Sequence, residues 1–156
     1  MSGVGLVLDF VDMAALQLRI DAMQHLDTRG LMDLVGTEVV TQTQRRIHDE
    51  KTSPRGEAWA PWSDRYAKTR TAGQSLLESE GHLVSSMTHV VELQGKSVDI
   101  GSNLIYAAMQ NFGGAKIGKP GFPAREYLGM SEANRLDVAQ VASAWLDKHF
   151  MKGSIP

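Results

Sequence analysis

The sequence predicts an α+β fold in which a small antiparallel β-sheet packs against several α-helices joined by long connectors. Three observations predict it. Apolar residues recur at helical spacing before residue 52 and again after residue 130. Between these segments the pattern changes to that of a hairpin over residues 88–101. Two further stretches, about 52–75 and 113–127, show no sustained period and are punctuated by Pro54, Pro61, Pro120 and Pro123, which makes them connectors.

Taken in order, Val4-Gly5-Leu6-Val7-Leu8 is a candidate N-terminal strand for the sheet. From Asp12, a suitable N-cap, Met13, Leu16, Ile20 and Met23 line one face of a first helix. Asp27-Thr28-Arg29-Gly30 interrupts, and a longer helix follows. Met32, Val35, Val39 and Ile47 form its buried stripe, with Arg45, Arg46, Asp49 and Glu50 at a solvated end. Ser53-Pro54 stops it, because proline disfavours helical geometry in the preceding residue.

Ser63 to Thr69 suits one or two helical turns. Ser75-Leu76-Leu77-Glu78 reads as a capping box opening a short helix with Leu76, Leu83, Val84 and Met87 on its apolar face. His89–Leu93 and Ser97–Ile100 then flank Gln94-Gly95-Lys96, a hairpin turn in which glycine takes the positive φ, with Val98 and Ile100 on one face. Leu104 to Phe112 is a short helix stopped by Gly113-Gly114. Ser131 caps the last helix, whose stripe is Val138, Val141, Ala142 and Trp145.

A chain of 156 residues is read as one domain, 1–156, long enough to bury a core unaided. Having no cysteine, it has no disulfide framework, thiolate metal site or cysteine nucleophile. The N-terminal stretch lacks a basic region and is broken by Asp9 and Asp12, so it is not expected to act as a signal peptide. No apolar run approaches the ~18 residues of a membrane span. A cytoplasm-like compartment and no membrane partner are therefore expected.

The net charge of −2 is unevenly spread: −4 over residues 1–44, +3 over 45–73, −3 over 74–112 and +2 over 113–156. The connectors are thus the basic parts. A dedicated DNA binder carries a stronger basic balance, which leaves Arg45, Arg46, Arg55 and Arg65 as candidates for DNA-facing or other polar contacts.

Residues 113–119 match the G-x-x-x-x-G-K spacing of a phosphate-binding loop. The chemistry does not follow the spacing. A helix, rather than a strand, is predicted before it, and Pro120 occupies the place of the Mg²⁺-binding hydroxyl while steering Lys119 away from helical geometry. His25, His48, His82, His89 and His149 never pair at i, i+3 or i+4, and neither H-E-x-x-H nor G-x-S-x-G occurs. No catalytic residue, metal or cofactor is expected.

The informative residues are aromatic. Trp59, Trp62 and Tyr66 sit in the first connector, and Tyr106, Phe112, Phe122 and Tyr127 bracket the second. Such rings bury large areas. Either they fold back on their own domain or they anchor an interface with another subunit. Arg125, a bidentate donor between aromatic neighbours, is the candidate charge-assisted contact.

The order of local signals resembles the phage virion morphogenesis, or tail completion, family of Mu-like and related tailed phages. The matching stretches are Ser53-Pro54-Arg55-Gly56, Trp59-Ala60-Pro61-Trp62, Leu77 through Gly81-His82-Leu83 and Ser86, Ile100-Gly101-Ser102, Tyr106 through Gly114, and Phe122 through Gly129. With the helical ends they cover roughly residues 10–150. The chain departs from the family pattern at Met109, often His, and at Glu126, often Pro.

The resemblance implies a non-enzymatic structural subunit of the virion neck, assembled in the host cytoplasm as a homo-oligomer, a six-membered ring. It implies tail tube or sheath and head–tail connector or portal-adaptor proteins as partners, with DNA passing through the channel. A tail terminator capping the tube is the alternative within the virion, and a nucleic-acid-binding module the alternative outside it. On this reading Trp59, Trp62, Tyr66, Phe112, Phe122, Arg125 and Tyr127 carry inter-subunit or neck contacts. The connectors would then order on assembly.

Overall fold

The computed structural model describes residues 26–115 and 118–152. The strand expected at Val4–Leu8, the helix expected over Asp12–Met23 and the tail from Gly153 lie outside them. The described residues form five α-helices and a two-stranded antiparallel sheet, the α+β class that the sequence predicts.

Helix α1, Thr28–Arg45, opens on Asp27, whose carboxylate accepts from the Arg29 N–H at 3.1 Å. It continues into a π-helical turn, Arg46–Glu50, and stops at Lys51, which is left-handed at φ 53° and donates its N–H to the Arg46 carbonyl. The predicted stripe holds in part: Val39 and Ile47 are buried, while Met32 and Val35 are half-buried. The solvated end needs correction. Arg46 is only 1% exposed and points into the protein.

The hairpin of β1, Thr88–Val91, and β2, Val98–Gly101, pairs Thr88 with Gly101 and Val91 with Val98. Its inner face lies on α1 at Gly36, where an added Cβ would come within 2.6 Å of His89 Cγ and 2.9 Å of Val98 Cγ2. Only glycine allows so close a crossing. The hairpin end is also tied to α1, since Thr28 donates to the Gly95 carbonyl at 2.7 Å and Arg29 donates to the carbonyls of Glu92 and Leu93.

The first connector contains one short helix, α2, Asp64–Ala67, capped by Ser63 within the predicted range. The capping box expected at Ser75 does not start a helix. Ser75 and Glu78 close a tight turn with two backbone hydrogen bonds, Leu77 takes a φ of 62°, and α3 begins only at His82 and ends at Ser85. Lys51 is the physical reason. Its ammonium binds Ser75 Oγ at 2.8 Å and the Leu76 carbonyl at 3.1 Å, holding that backbone out of helical geometry.

Helix α4, Ala107–Phe112, is shorter than the predicted Leu104–Phe112 and stops at Gly113, where φ is 75°. Helix α5, Glu132–Lys152, opens on a reciprocal cap in which Ser131 Oγ accepts from the Asn134 N–H and Asn134 Oδ1 from the Ser131 N–H. It runs antiparallel to α1. Gln42 reaches the Asn134 carbonyl at one end, and Gly30 lies 3.8 Å from Trp145 Nε1 at the other, measured from an added Cβ. The main core lies where the connectors meet the end of α1: Ile47, Trp59, Leu83, Met87, Ala107 and Tyr127.

A candidate interaction groove between the two connectors

The connectors are laid against each other by side chains that bond backbone. Arg125, only 6% exposed, donates Nε to the Ala60 carbonyl at 2.9 Å and a terminal nitrogen to the Pro61 carbonyl at 3.1 Å. Trp59 donates Nε1 to the Glu126 carbonyl at 3.1 Å. From α4, Asn111 Oδ1 accepts the N–H groups of Tyr127 and Leu128, and Tyr127 donates its hydroxyl to the Ala107 carbonyl at 2.9 Å. Arg46 reaches the carbonyls of Tyr127 and Gly129 and Oδ1 of Asn134. Most of these bonds satisfy carbonyl or amide groups of irregular backbone that has no helix or sheet partner to offer them.

Burial leaves its mark on three of these groups. It lowers the pKa of Arg46 despite the opposing Glu50 carboxylate, and it lowers that of Arg125. The Tyr127 phenol is pushed up to about 12 by burial, with a smaller contribution from Tyr106.

Between the connectors lies an open groove of about 900 Å³. Trp62, Tyr66, Tyr106 and Phe122 supply its rings, and Pro61, Pro120 and Pro123 add apolar surface. Trp62 meets Tyr66 edge-on at 6.0 Å, and the Arg70 guanidinium lies 4.3 Å over the Tyr66 ring. The carboxylates in its wall are engaged: Glu80 with His82 at 2.9 Å, and Glu78 with His48 at 2.7 Å and Lys51 at 3.5 Å.

The expected aromatic residues therefore divide. Trp59 and Tyr127 belong to the core and are closed to any partner, as the fold-back reading has it. Arg125 likewise serves its own chain. Trp62, Tyr66 and Phe122 face the groove. Phe112 is 70% exposed and is not part of the groove lining. Of the four arginines considered for DNA, Arg46 is buried, Arg45 pairs with Glu50, Arg55 pairs with Glu57 and Glu126, and Arg65 is exposed. Sequence reasoning missed Arg70 and left Tyr106 out of the contact set. The available signal was the Tyr66-to-Arg70 spacing of four, which places a cation one helical turn from a ring.

One cluster invites a catalytic reading. Ser75 Oγ lies beside Lys51 Nζ and 3.2 Å from Glu78 Oε2. Lys51 donates to the Ile47 carbonyl, Ser75 Oγ and the Leu76 carbonyl, so all three of its protons are used and it is no base for the hydroxyl. The cluster clamps the turn at 75–78. At Gly113–Lys119 the preceding element is a helix, no helix starts at Lys119 among the described residues, and Lys119 donates its N–H to the Gly114 carbonyl. Among the described residues no group of three His, Asp or Glu side chains is placed to hold a metal, and no helix is long and apolar enough to cross a membrane.

The fold and the groove define a small α+β domain whose long connectors are pinned together around an open aromatic cleft. A model of the phage virion morphogenesis family matches residues 11–147, and the chain belongs to that family. It is a virion-associated protein of phage assembly. No curated protein and no solved structure matches the chain.

Proposed function

We propose that this protein completes the phage tail or joins it to the head, as a non-enzymatic subunit of a homo-oligomeric ring at the neck. The observation that carries the reading is the groove. Trp62, Tyr66 and Phe122 leave apolar ring surface open in a cleft whose walls are already fixed. A preorganised apolar cleft takes a partner segment without the cost of ordering its own walls. Repeated head to tail, such a contact closes into a ring when the rotation allows; six copies is the number the resemblance implies. The tail tube or sheath and the connector or portal-adaptor proteins are the partners this position requires, with DNA in the channel.

Light scattering after size exclusion tests the ring, and complementation of a phage lacking the protein tests its place. Trp62→Ala with Phe122→Ala should leave the fold intact by circular dichroism, abolish the ring, and leave heads and tails unjoined in micrographs. Joined particles of normal infectivity from that variant would refute the reading. Tails of uncontrolled length would instead indicate a terminator.

A further inference from the structure

The groove contains a charge that no carboxylate among the described residues answers. Arg70 stacks on Tyr66, yet its Nε is buried without a hydrogen-bond partner among the described residues. No carboxylate there pairs with Arg70 or Arg125, and those in the wall, Glu78 and Glu80, are held by Lys51, His48 and His82. A guanidinium that lines an apolar cleft and has no carboxylate paired with it among the described residues suits a carboxylate on an apolar segment.

Such a segment exists in this chain outside the described residues. Leu8-Asp9-Phe10-Val11-Asp12 sets two carboxylates among large apolar side chains and has no basic residue. We propose that the groove receives residues 8–12 of a neighbouring copy, Phe10 lying among Trp62, Tyr66 and Phe122 and Asp9 or Asp12 meeting Arg70. This rests on the ring reading above and names the contact that closes it.

Chain length favours the neighbour over the same chain. The groove lies at the far end of α1 and its π turn, which span 18 and 5 residues, about 34 Å at the helical rise. The helix predicted over Asp12–Met23 would run back about 18 Å. The few residues up to Asp27 would be spent crossing between helices. Residues 8–12, even extended, add about 13 Å. On that expected path Phe10 would fall short of the far end of α1 within its own chain, whereas a neighbour in a ring has no such limit.

The absence of cysteine permits a direct test on the full-length chain. One preparation carries Phe10→Cys and the other Tyr66→Cys; they are mixed, allowed to exchange subunits and oxidised. The expected result is a 10–66 disulfide joining two chains, identified by mass spectrometry. A link formed only within a single chain carrying both substitutions would overturn the proposal in favour of self-occupancy. A ring by light scattering with no 10–66 link would overturn it while leaving the ring reading intact. A chain that stays monomeric at every concentration would refute both.

In a second arm, Asp9→Asn with Asp12→Asn should raise the concentration at the assembly midpoint about tenfold. The same pair should have little further effect once Arg70→Gln is present. Equal effects in both backgrounds would separate the carboxylates from Arg70 and sink the charge pairing.

Discussion

The half of the molecule built from α1, the hairpin and α5 is regular in backbone but thinly buried, whereas the half built from the connectors is irregular and holds the core. In the regular half, Val39 and Trp145 are buried while Leu34, Val90, Leu93 and Leu136 stand in solvent. The connector half encloses six core residues, among them Tyr127 at 0% exposure. Regular structure satisfies its own backbone, so it tolerates thin packing. Loops must recruit Arg46, Arg125, Asn111 and the Trp59 indole to do so, and those side chains fix the loops in place.

The largest effect should come from removing the centre of the connector half. Tyr127→Ala is expected to cost about 3–5 kcal/mol in denaturant unfolding of the isolated chain. Tyr127→Phe, which loses only the hydroxyl bond to the Ala107 carbonyl, should cost about 1 kcal/mol. If Tyr127→Ala left the isolated chain as stable as the wild type, the connectors would be ordered only on assembly and the contrast between the halves would collapse.

Arg46 comes next. Among the described residues it is the one side chain that ties the π turn at the end of α1 both to Tyr127 and Gly129 and to Asn134 in the cap of α5. Arg46→Met keeps the stem and removes the donors, leaving buried acceptors open, so a loss of about 3 kcal/mol is expected. The same variant sharpens the functional reading. If Arg46 served DNA, stability would hold and duplex binding would fall, with a shallower salt dependence.

These residues also show what the sequence revealed and what it hid. Periodicity exposed α1, the hairpin and α5 because their inward faces repeat, and proline and glycine marked both connectors. The path of the connectors was hidden, since Trp59 and Tyr127 are buried by contacts with Glu126 and Ala107, far away in sequence. Arg46 was misread for a related reason: a charge at a helix end is ordinarily solvated, and nothing local signals that three carbonyl and amide oxygens converge on it. The groove was half legible. Its rings stood out as aromatic residues in polar loops, but Arg70 gains its meaning only once Tyr66 is beneath it.

In the regular half, Gly36→Ala should cost about 1 kcal/mol. The added methyl meets His89 and Val98, an overpacking penalty of about 1–3 kcal/mol, while the better helix propensity of alanine returns up to about 1 kcal/mol. The hairpin amides of 88–91 and 98–101 should lose hydrogen-exchange protection before those of α1 do. Uniform loss across the chain would mean that the two halves unfold as one unit.

The smallest effect is expected at His48, on the surface of the connector half. Its ring Nδ1 lies 2.7 Å from Glu78 Oε1, and that hydrogen bond is the main cause raising its pKa. For Glu78, burial pushes the carboxyl up, but the bond from His48, the Lys51 charge and the Ser75 hydroxyl together hold it below its ordinary range. The signs are opposite. Stability from Glu78 is present above its ordinary value of 4.5 and is lost as pH falls through the lowered folded value. Stability from His48 is present below its ordinary value of 6.5 and is lost as pH rises through the raised one. Both act in full only between these two ordinary values. His48→Gln should therefore flatten the alkaline limb of a stability–pH profile and leave most of the acid limb, which Lys51 and Ser75 still support. A profile that overlays the wild type from weakly acidic to alkaline pH would mean that the contact contributes nothing in solution, and that the connector half is held by its buried groups alone.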